Sequence, residues 1–240
     1  MFKQIPIKHK VMRWLKKFNY NMKYLSFSLW GDKPIYNVGA IKNAQLWKDV
    51  YPDWQMVVYF DNTVPKSTIE ELVGLGVNCI YFEDITVYGM FWRFFALNIS
   101  DCEYAIFRDA DSRISIRESL AVKEWIDSGK SLHIMRDHPG HRIPYGNNTL
   151  GILGGMWGIK NNVLPIVDMI GKFQKSKEHN YGNDQSFLKM VYSALENDRY
   201  THDEFFENKP FPIRREPGRF VGERLDEFDK FVGEDYKLVL

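Results

Sequence analysis

Two aspartates one residue apart, Asp109 and Asp111, close the apolar run of YAIFRDADSRI. Alternate residues of an extended chain share a face, so the two carboxylates can point together. Two carboxylates on one rim repel unless a cation lies between them. A hard divalent ion, Mg²⁺ or Mn²⁺, suits oxygen ligands of this kind. Mg²⁺ takes few protein carboxylates and completes its shell with substrate phosphates, so the pattern points to a metal–diphosphate site with Asp109 and Asp111 as ligands. The plainer alternative is a surface turn whose acids pair with Arg108 and Arg113, because Asp-x-Asp is short and common.

Arg93 is the next candidate. Its neighbours Phe91, Trp92, Phe94 and Phe95 leave no solvated face, and a buried arginine requires an anionic partner. That partner is Asp109 or a bound phosphate; the alternative is a solvated helix arginine. Asp184 and Gln185 follow Gly182-Asn183 at a helix start, where an aspartate can simply be the N-cap. Of the histidines, His9, His133, His138, His141, His179 and His202 make no zinc spacing, and neither do Cys79 and Cys102. The two cysteines read as core residues in a reducing, cytoplasmic compartment. No GxGxxG or Walker A sequence occurs, which removes support for NAD and ATP folds.

The elements that would carry these residues alternate. YLSFSLWG, QMVVYFD, NCIYFE, YAIFRD and SLHIMRD read as strands. NVGAIKNAQLWKDVYP reads as a helix stopped before Pro52, and MFWRFFALNIS as a helix with aromatics on more than one side. Ser67-Thr68-Ile69-Glu70 and Ser115 to Glu118 each fit a capping box. NVLPIVDMI and NDQSFLKMVYSAL read as further helices. Strands separated by helices imply an α/β fold with a mostly parallel sheet covered on both faces. Ligands of such sheets bind beyond the carboxyl ends of the strands. Asp61, Asp109 and Asp137 all fall at strand ends and would share one rim. HPGHRIPYGNNTLGILGGMWG is long, loop-like and apolar enough to be functional.

Composition adds limits. The chain has 240 residues, with 45% apolar and 26% charged side chains, a globular balance that can bury a core without staples. The first 31 residues carry seven cations and no acid, which leaves 25 basic residues against 31 acidic in the remainder. An acidic body with a basic arm is not the pattern of a nucleic-acid binder. No run of 18 apolar residues predicts a membrane span, and no apolar signal-peptide core opens the chain. VMRWLKKF places Val11, Trp14, Leu15 and Phe18 at helical spacing beside Arg13, Lys16 and Lys17. It reads as a peripheral helix on an anionic membrane, suited to a lipid-linked acceptor, or as an ordinary packing helix.

The stretch GMFWRFFALNISDCEYAIFRDADSRI resembles the family-eight, galactosyltransferase- and glycogenin-like members of the GT-A glycosyltransferases. In that pattern a helix with an aromatic–Arg pair, here Trp92-Arg93, precedes the strand and its Asp-x-Asp. GNDQSFLKMV resembles the family's Asp-Gln motif at Asp184 and Gln185. GGMWGI, with Gly155 and Trp157, stands in the place of its acceptor-side loop, although the residues differ. RDHPGH has no counterpart there.

The resemblance implies a single GT-A domain over 24–240, a Rossmann-like α/β/α sandwich, preceded by the basic arm 1–23. It implies an Mn²⁺ or Mg²⁺ ion and a nucleotide diphosphate sugar donor, UDP foremost, with a glycan or lipid-linked acceptor. Ser28 and Asp61 then face the nucleotide, and Arg93 and Arg113 the phosphates. Asp184 and Gln185 would act at the sugar, with retention of configuration favoured. His202 would complete the metal shell as a C-terminal histidine. Arg136, Asp137 and His138 either line the sugar pocket or form a loop network in which Asp137 pairs with Arg136 or Arg142. Rival readings are a sugar nucleotidyltransferase and a non-catalytic carbohydrate-binding protein on the same fold. A haloacid-dehalogenase-like phosphatase would need its Asp-x-Asp nearer the chain start.

Overall fold

A computed structural model describes residues 21–84, 86–142, 144–145, 149–174 and 182–240. The basic arm, but for its last residues, and His179 lie outside them. β1 (Met22–Leu29), β2 (Trp54–Phe60), β3 (Asn78–Tyr81) and β4 (Cys102–Phe107) are followed by β5 (Leu132–Arg136), β8 (Trp157–Lys160) and β9 (Arg199–Asp203). They form one seven-stranded sheet in the order β3-β2-β1-β4-β8-β5-β9. Every pairing is parallel except those of β8, which runs against both β4 and β5. A two-stranded hairpin of β6 (Pro144–Tyr145) and β7 (Thr149–Leu150) stands apart in the connection from β5 to β8.

Period-two alternation decides which helices cover which face. Leu25, Phe27 and Leu29 of β1 join Met56, Val58 and Ile106 on one face, beneath Trp47, Leu72 and Trp125. Those three come from α1 (Pro34–Val50), α2 (Lys66–Gly74) and α3 (Ile116–Asp127). Val57, Tyr59, Ala105, Phe107, Trp157 and Ile159 point the other way, onto Phe91, Phe94 and Phe187. The helices there are a 3-10 segment, Gly89–Asn98, with α4 (Ile166–Gln174) and α5 (Asn183–Leu195).

Several expected local features take a different form. The Ser67 capping box does not form, because α2 starts at Lys66 with Pro65 at its N-cap and no side-chain cap. At α3 half of the box forms: Ser115 Oγ accepts the Glu118 N–H at 3.3 Å. The Glu118 carboxylate instead binds Arg108 Nε at 3.0 Å and the Tyr51 hydroxyl at 2.9 Å. The aromatic helix is 3-10 in form. Its backbone is tied laterally, with Arg93 N–H donating to Ser28 Oγ at 2.8 Å and the Arg93 carbonyl accepting from Ser26 Oγ at 2.7 Å. GGMWGI is not wholly a loop, since Trp157 opens β8 in the middle of the sheet.

Candidate active site

β4 delivers the acidic pair to the rim. After Phe107 the chain stays beside β1 for one more bond, Arg108 N–H to the Ser26 carbonyl at 3.1 Å. It then turns, and Ser112 N–H donates back to the Asp109 carbonyl at 3.3 Å. The turn packs tightly on α1: a Cβ on Gly39 would lie 2.0 Å from the Ala110 carbonyl oxygen. Asp109 is left half exposed, with its side chain at 52%.

Arg93 is the cation that Asp109 requires. Its buried guanidinium places Nη1 2.5 Å from Asp109 Oδ1 and 3.0 Å from the Arg108 carbonyl, and Nη2 3.2 Å from Asp184 Oδ2. One planar fork thus spans two acids, one on each terminal nitrogen. Burial would lower the Arg93 pKa, but the two carboxylates outweigh it and raise it. Asp184 is buried on α5, and its own Oδ1 accepts the Gln185 N–H at 2.9 Å. Burial raises its pKa, Arg93 opposes that, and Asp109 adds to it. Asp184 is not the N-cap of α5; that position is Gly182, at φ 83°.

Two glycines press on this cluster. A Cβ on Gly154 would fall 2.1 Å from Asp184 Oδ2, and one on Gly155 2.0 Å from Asp109 Oδ2. No side chain fits at either place. The reversed β8 brings them here, because Trp157 is paired with Phe107 and the residues before it emerge beside Asp109.

Asp111 is nearly buried and accepts a hydrogen bond from Arg224 Nε at 3.1 Å. Burial, then the charge of Asp109, raises its pKa against the pull of Arg224. The chemistry of this donor set can be tested against a divalent ion. Asp109 and Asp111 offer hard carboxylate oxygens on one turn, and Asp109 is open to solvent on one side. Among the described residues no group of three or more His, Cys, Asp or Glu forms a metal cluster. The pair therefore fits an ion that takes two protein ligands and draws the rest from phosphate and water, as Mg²⁺ does.

Other expected site residues stand elsewhere. Arg113 is taken up by the C-terminal segment, with Nε 3.0 Å from Asp229 Oδ1 and Nη2 2.9 Å from the Asp226 carbonyl. Ser28 serves through the Arg93 backbone. Asp61 folds its own turn: Oδ1 accepts the Thr63 N–H at 3.0 Å, and Thr63 Oγ1 accepts the Gly31 N–H at 2.6 Å. The Trp157 ring is fully buried between Phe94 and Phe107, so it meets the core and not a substrate.

His202 is not brought to the acidic pair. It lies on β9, three strand places from β4, between His133 at 2.9 Å and Glu124 at 3.1 Å. Arg136 and Asp137 are fully buried in ion pairs. Arg136 binds Asp203 at 2.6 Å, and also Glu207. Asp137 takes both Arg117 and Arg215, at 2.8 and 2.9 Å, together with the Val221 N–H at 2.9 Å. His138 holds the Asp235 carbonyl at 2.9 Å. The RDH segment is therefore a network that ties down the C-terminal segment, with partners other than the expected Arg136–Asp137 or Arg142–Asp137 pairs.

Sequence reasoning missed Arg224. Ser26 was read with Ser28 at the nucleotide end of β1, and Gly154 within the GGMWGI stretch; Ser26 and Ser28 both bind the Arg93 backbone, and Gly154 lies against Asp184. Nothing local marks Arg224, which is 113 residues from its partner.

No family model matches this sequence, and no curated protein matches it either. Solved structures do match its fold. TarS 1–349 of S. aureus aligns with 79% of this chain and 59% of its own, at 15% identity and a TM-score of 0.53. This chain thus spans less than two thirds of that one. Glucosyl-3-phosphoglycerate synthase of M. tuberculosis, in complex with Mn²⁺, UDP-glucose and glycerol 3-phosphate, aligns at 11% identity over 82% of this chain and 73% of its own, TM-score 0.48. The galactosyltransferase LgtC, in complex with donor and acceptor sugar analogs, aligns at 13% identity over 76% and 74%, TM-score 0.48. At such identities the likeness defines the fold, and that fold is GT-A, a Rossmann-like α/β architecture around a mostly parallel sheet.

Proposed function

We propose that this chain is a divalent-metal-dependent glycosyltransferase, moving a sugar from a nucleotide diphosphate sugar to an acceptor hydroxyl. The observation that carries the reading is the Arg93 fork joining Asp109 and Asp184 at the β4 rim of a GT-A fold, under two glycines that admit no side chain. Asp109 and Asp111 would hold Mn²⁺ or Mg²⁺, and the bound ion would offset charge on the departing nucleotide diphosphate. UDP is the proposed nucleotide, a hexose the proposed sugar, and a glycan or lipid-linked alcohol the acceptor class.

The chain's own residues do the rest. Arg93 fixes the orientation of Asp109 and keeps Asp184 beside it. Asp184, buried and facing the same cluster, orients the sugar and stabilises positive charge developing at its anomeric carbon. Gln185 follows in the same helix turn and is partly buried. Gly154 and Gly155 let backbone approach the acids closely. Retention of configuration follows only from the likeness of Asp184-Gln185 to the family-eight motif.

The test is a panel of nucleotide sugars assayed with Mn²⁺ for nucleotide release and for transfer. Asp109→Asn and Asp111→Asn should each weaken metal-dependent UDP binding at least about tenfold with the fold retained, since Asn removes the charged ligand, keeps the shape and leaves an amide oxygen to accept from the arginine. Unchanged Mn²⁺ dependence in either variant would overturn the metal assignment. Release of pyrophosphate with a nucleotidylated product would instead identify a nucleotidyltransferase, and binding without turnover a non-catalytic protein.

A further inference from the structure

The segment after Val221 returns to the acidic pair. Leu225 donates its N–H to the Asp111 carbonyl at 2.8 Å, while Arg224 Nε reaches Asp111 Oδ2 at 3.1 Å. From there the chain closes on itself. Val232 N–H meets the Arg224 carbonyl at 3.0 Å, Asp226 N–H meets the Lys230 carbonyl at 2.9 Å, and Asp226 Oδ1 accepts the N–H groups of Phe228 and Lys230, each at 2.9 Å. A second anchor is independent of Arg224. Arg113 holds Asp229 at 3.0 Å and the Asp226 carbonyl at 2.9 Å, and Lys42 also pairs with Asp229.

The Arg224 contact therefore adds little that the loop needs in order to stay in place. Its side chain is 55% exposed, whereas the carboxylate it serves is 11% exposed. A half-exposed cation thus rests on one oxygen of the carboxylate proposed as a metal ligand. Two cations cannot share that oxygen at contact distance without strong repulsion.

We propose that Arg224 is a tethered counter-ion of Asp111 in the donor-free protein, exchanged for the divalent cation when donor and metal load together. This rests on the metal-dependent reading above. The loop 224–232 is then a latch: it holds Asp111 neutralised while no donor is present, and it disfavours metal alone. Its Arg113 anchor keeps it at the rim after the exchange.

The experiment is calorimetric titration of the donor-free protein with Mn²⁺ for wild type, Arg224→Gln, Arg224→Lys and Asp111→Asn, with melting temperatures recorded to show that each is folded. Removing the competing charge should tighten Mn²⁺ binding about fivefold in Arg224→Gln, the scale of one solvent-screened ion pair. Arg224→Lys, which keeps the charge, should stay within about twofold of wild type. Asp111→Asn should lose binding. If Arg224→Gln binds Mn²⁺ no more tightly than wild type while Asp111→Asn loses it, the latch is wrong and the metal site stands. If Asp111→Asn binds as wild type does, the metal site itself is wrong and the latch falls with it.

Discussion

Four charged residues crowd the end of β4, and each has its own partner. Arg108 takes Glu118, Asp109 takes Arg93, Asp111 takes Arg224 and Arg113 takes Asp229. These partners lie 10, 16, 113 and 116 residues away. The Arg93 pair was within reach of sequence reasoning, because an arginine among aromatics has no water around it and requires an anion; the Arg108 pair was not, because the capping pattern assigned the Glu118 carboxylate to the helix N-terminus. The two distant ones were not, because a half-exposed arginine in an irregular segment carries no periodic or spacing signal. Asp184 gives the sharpest test at this scale. Gly182 caps the helix, so Asp184→Asn leaves the cap alone. It does weaken a buried pair that Asp109 still half satisfies, which should lower stability by about 1–2 kcal/mol. Turnover should fall about 10²-fold or more, the scale of a lost catalytic carboxylate, with UDP affinity retained. Normal turnover in that variant would leave Asp184 as a partner of Arg93 alone.

At the scale of elements, the alternating strands and helices up to β5 were legible, since their apolar periods were regular and their breaks carried Gly or Pro. β8 was not. Its four residues follow Gly154-Gly155 and contain Gly158, a composition that reads as loop, and only its place between β4 and β5 makes it a strand. That place aims the glycine pair at the acids. Gly155→Ala should therefore act on the site: its Cβ would meet Asp109 Oδ2 at 2.0 Å and must push the carboxylate aside. A displacement of about 1 Å costs on the order of 10² in rate. Steady-state turnover of Gly155→Ala beside Gly171→Ala, a helix glycine with open space around its Cβ position, checks this. Equal rates would mean the glycine pair does not constrain the acids.

The whole molecule carries a pH dependence set by buried histidines. His133 and His202 are almost fully buried, and burial holds both pKa values below the usual range. Burial, with neighbouring His138 and two arginines, lowers His141 to about 3. In the unfolded chain each titrates near about 6.5. Below that pH the unfolded state binds more protons than the folded one, so stability is lost as pH falls from about 6.5 toward the folded values. Asp111 and Asp184, with raised pKa values, act in the opposite sense. Their folded forms retain protons above about pH 4, so stability falls as pH rises through that window. Three histidines against two aspartates should lower the melting temperature by about 5 °C or more between pH 7 and pH 5.5, at about 2–4 °C per kcal/mol for a chain of this size. A flat scanning-calorimetry profile over that range would show that the histidines are charged in the fold.

The reversed strand has a consequence for how this architecture can be varied. A parallel strand sends only its exit to the functional rim, and the chain must then cross back beneath the sheet. β5 ends at that rim and β8 begins there, one strand place away. The whole stretch between Arg136 and Trp157 thus starts and finishes at adjacent mooring points, and nothing in it has to make the return journey. Doubling such a segment costs only about 0.6 kcal/mol in closure entropy. Between its fixed ends, Asp137 in its ion pairs and the run from Gly151 to Gly155 beside Arg136 and the acids, it is an exchangeable cassette: its length and composition can drift, or be grafted, while the seven strands and the acids stay where they are.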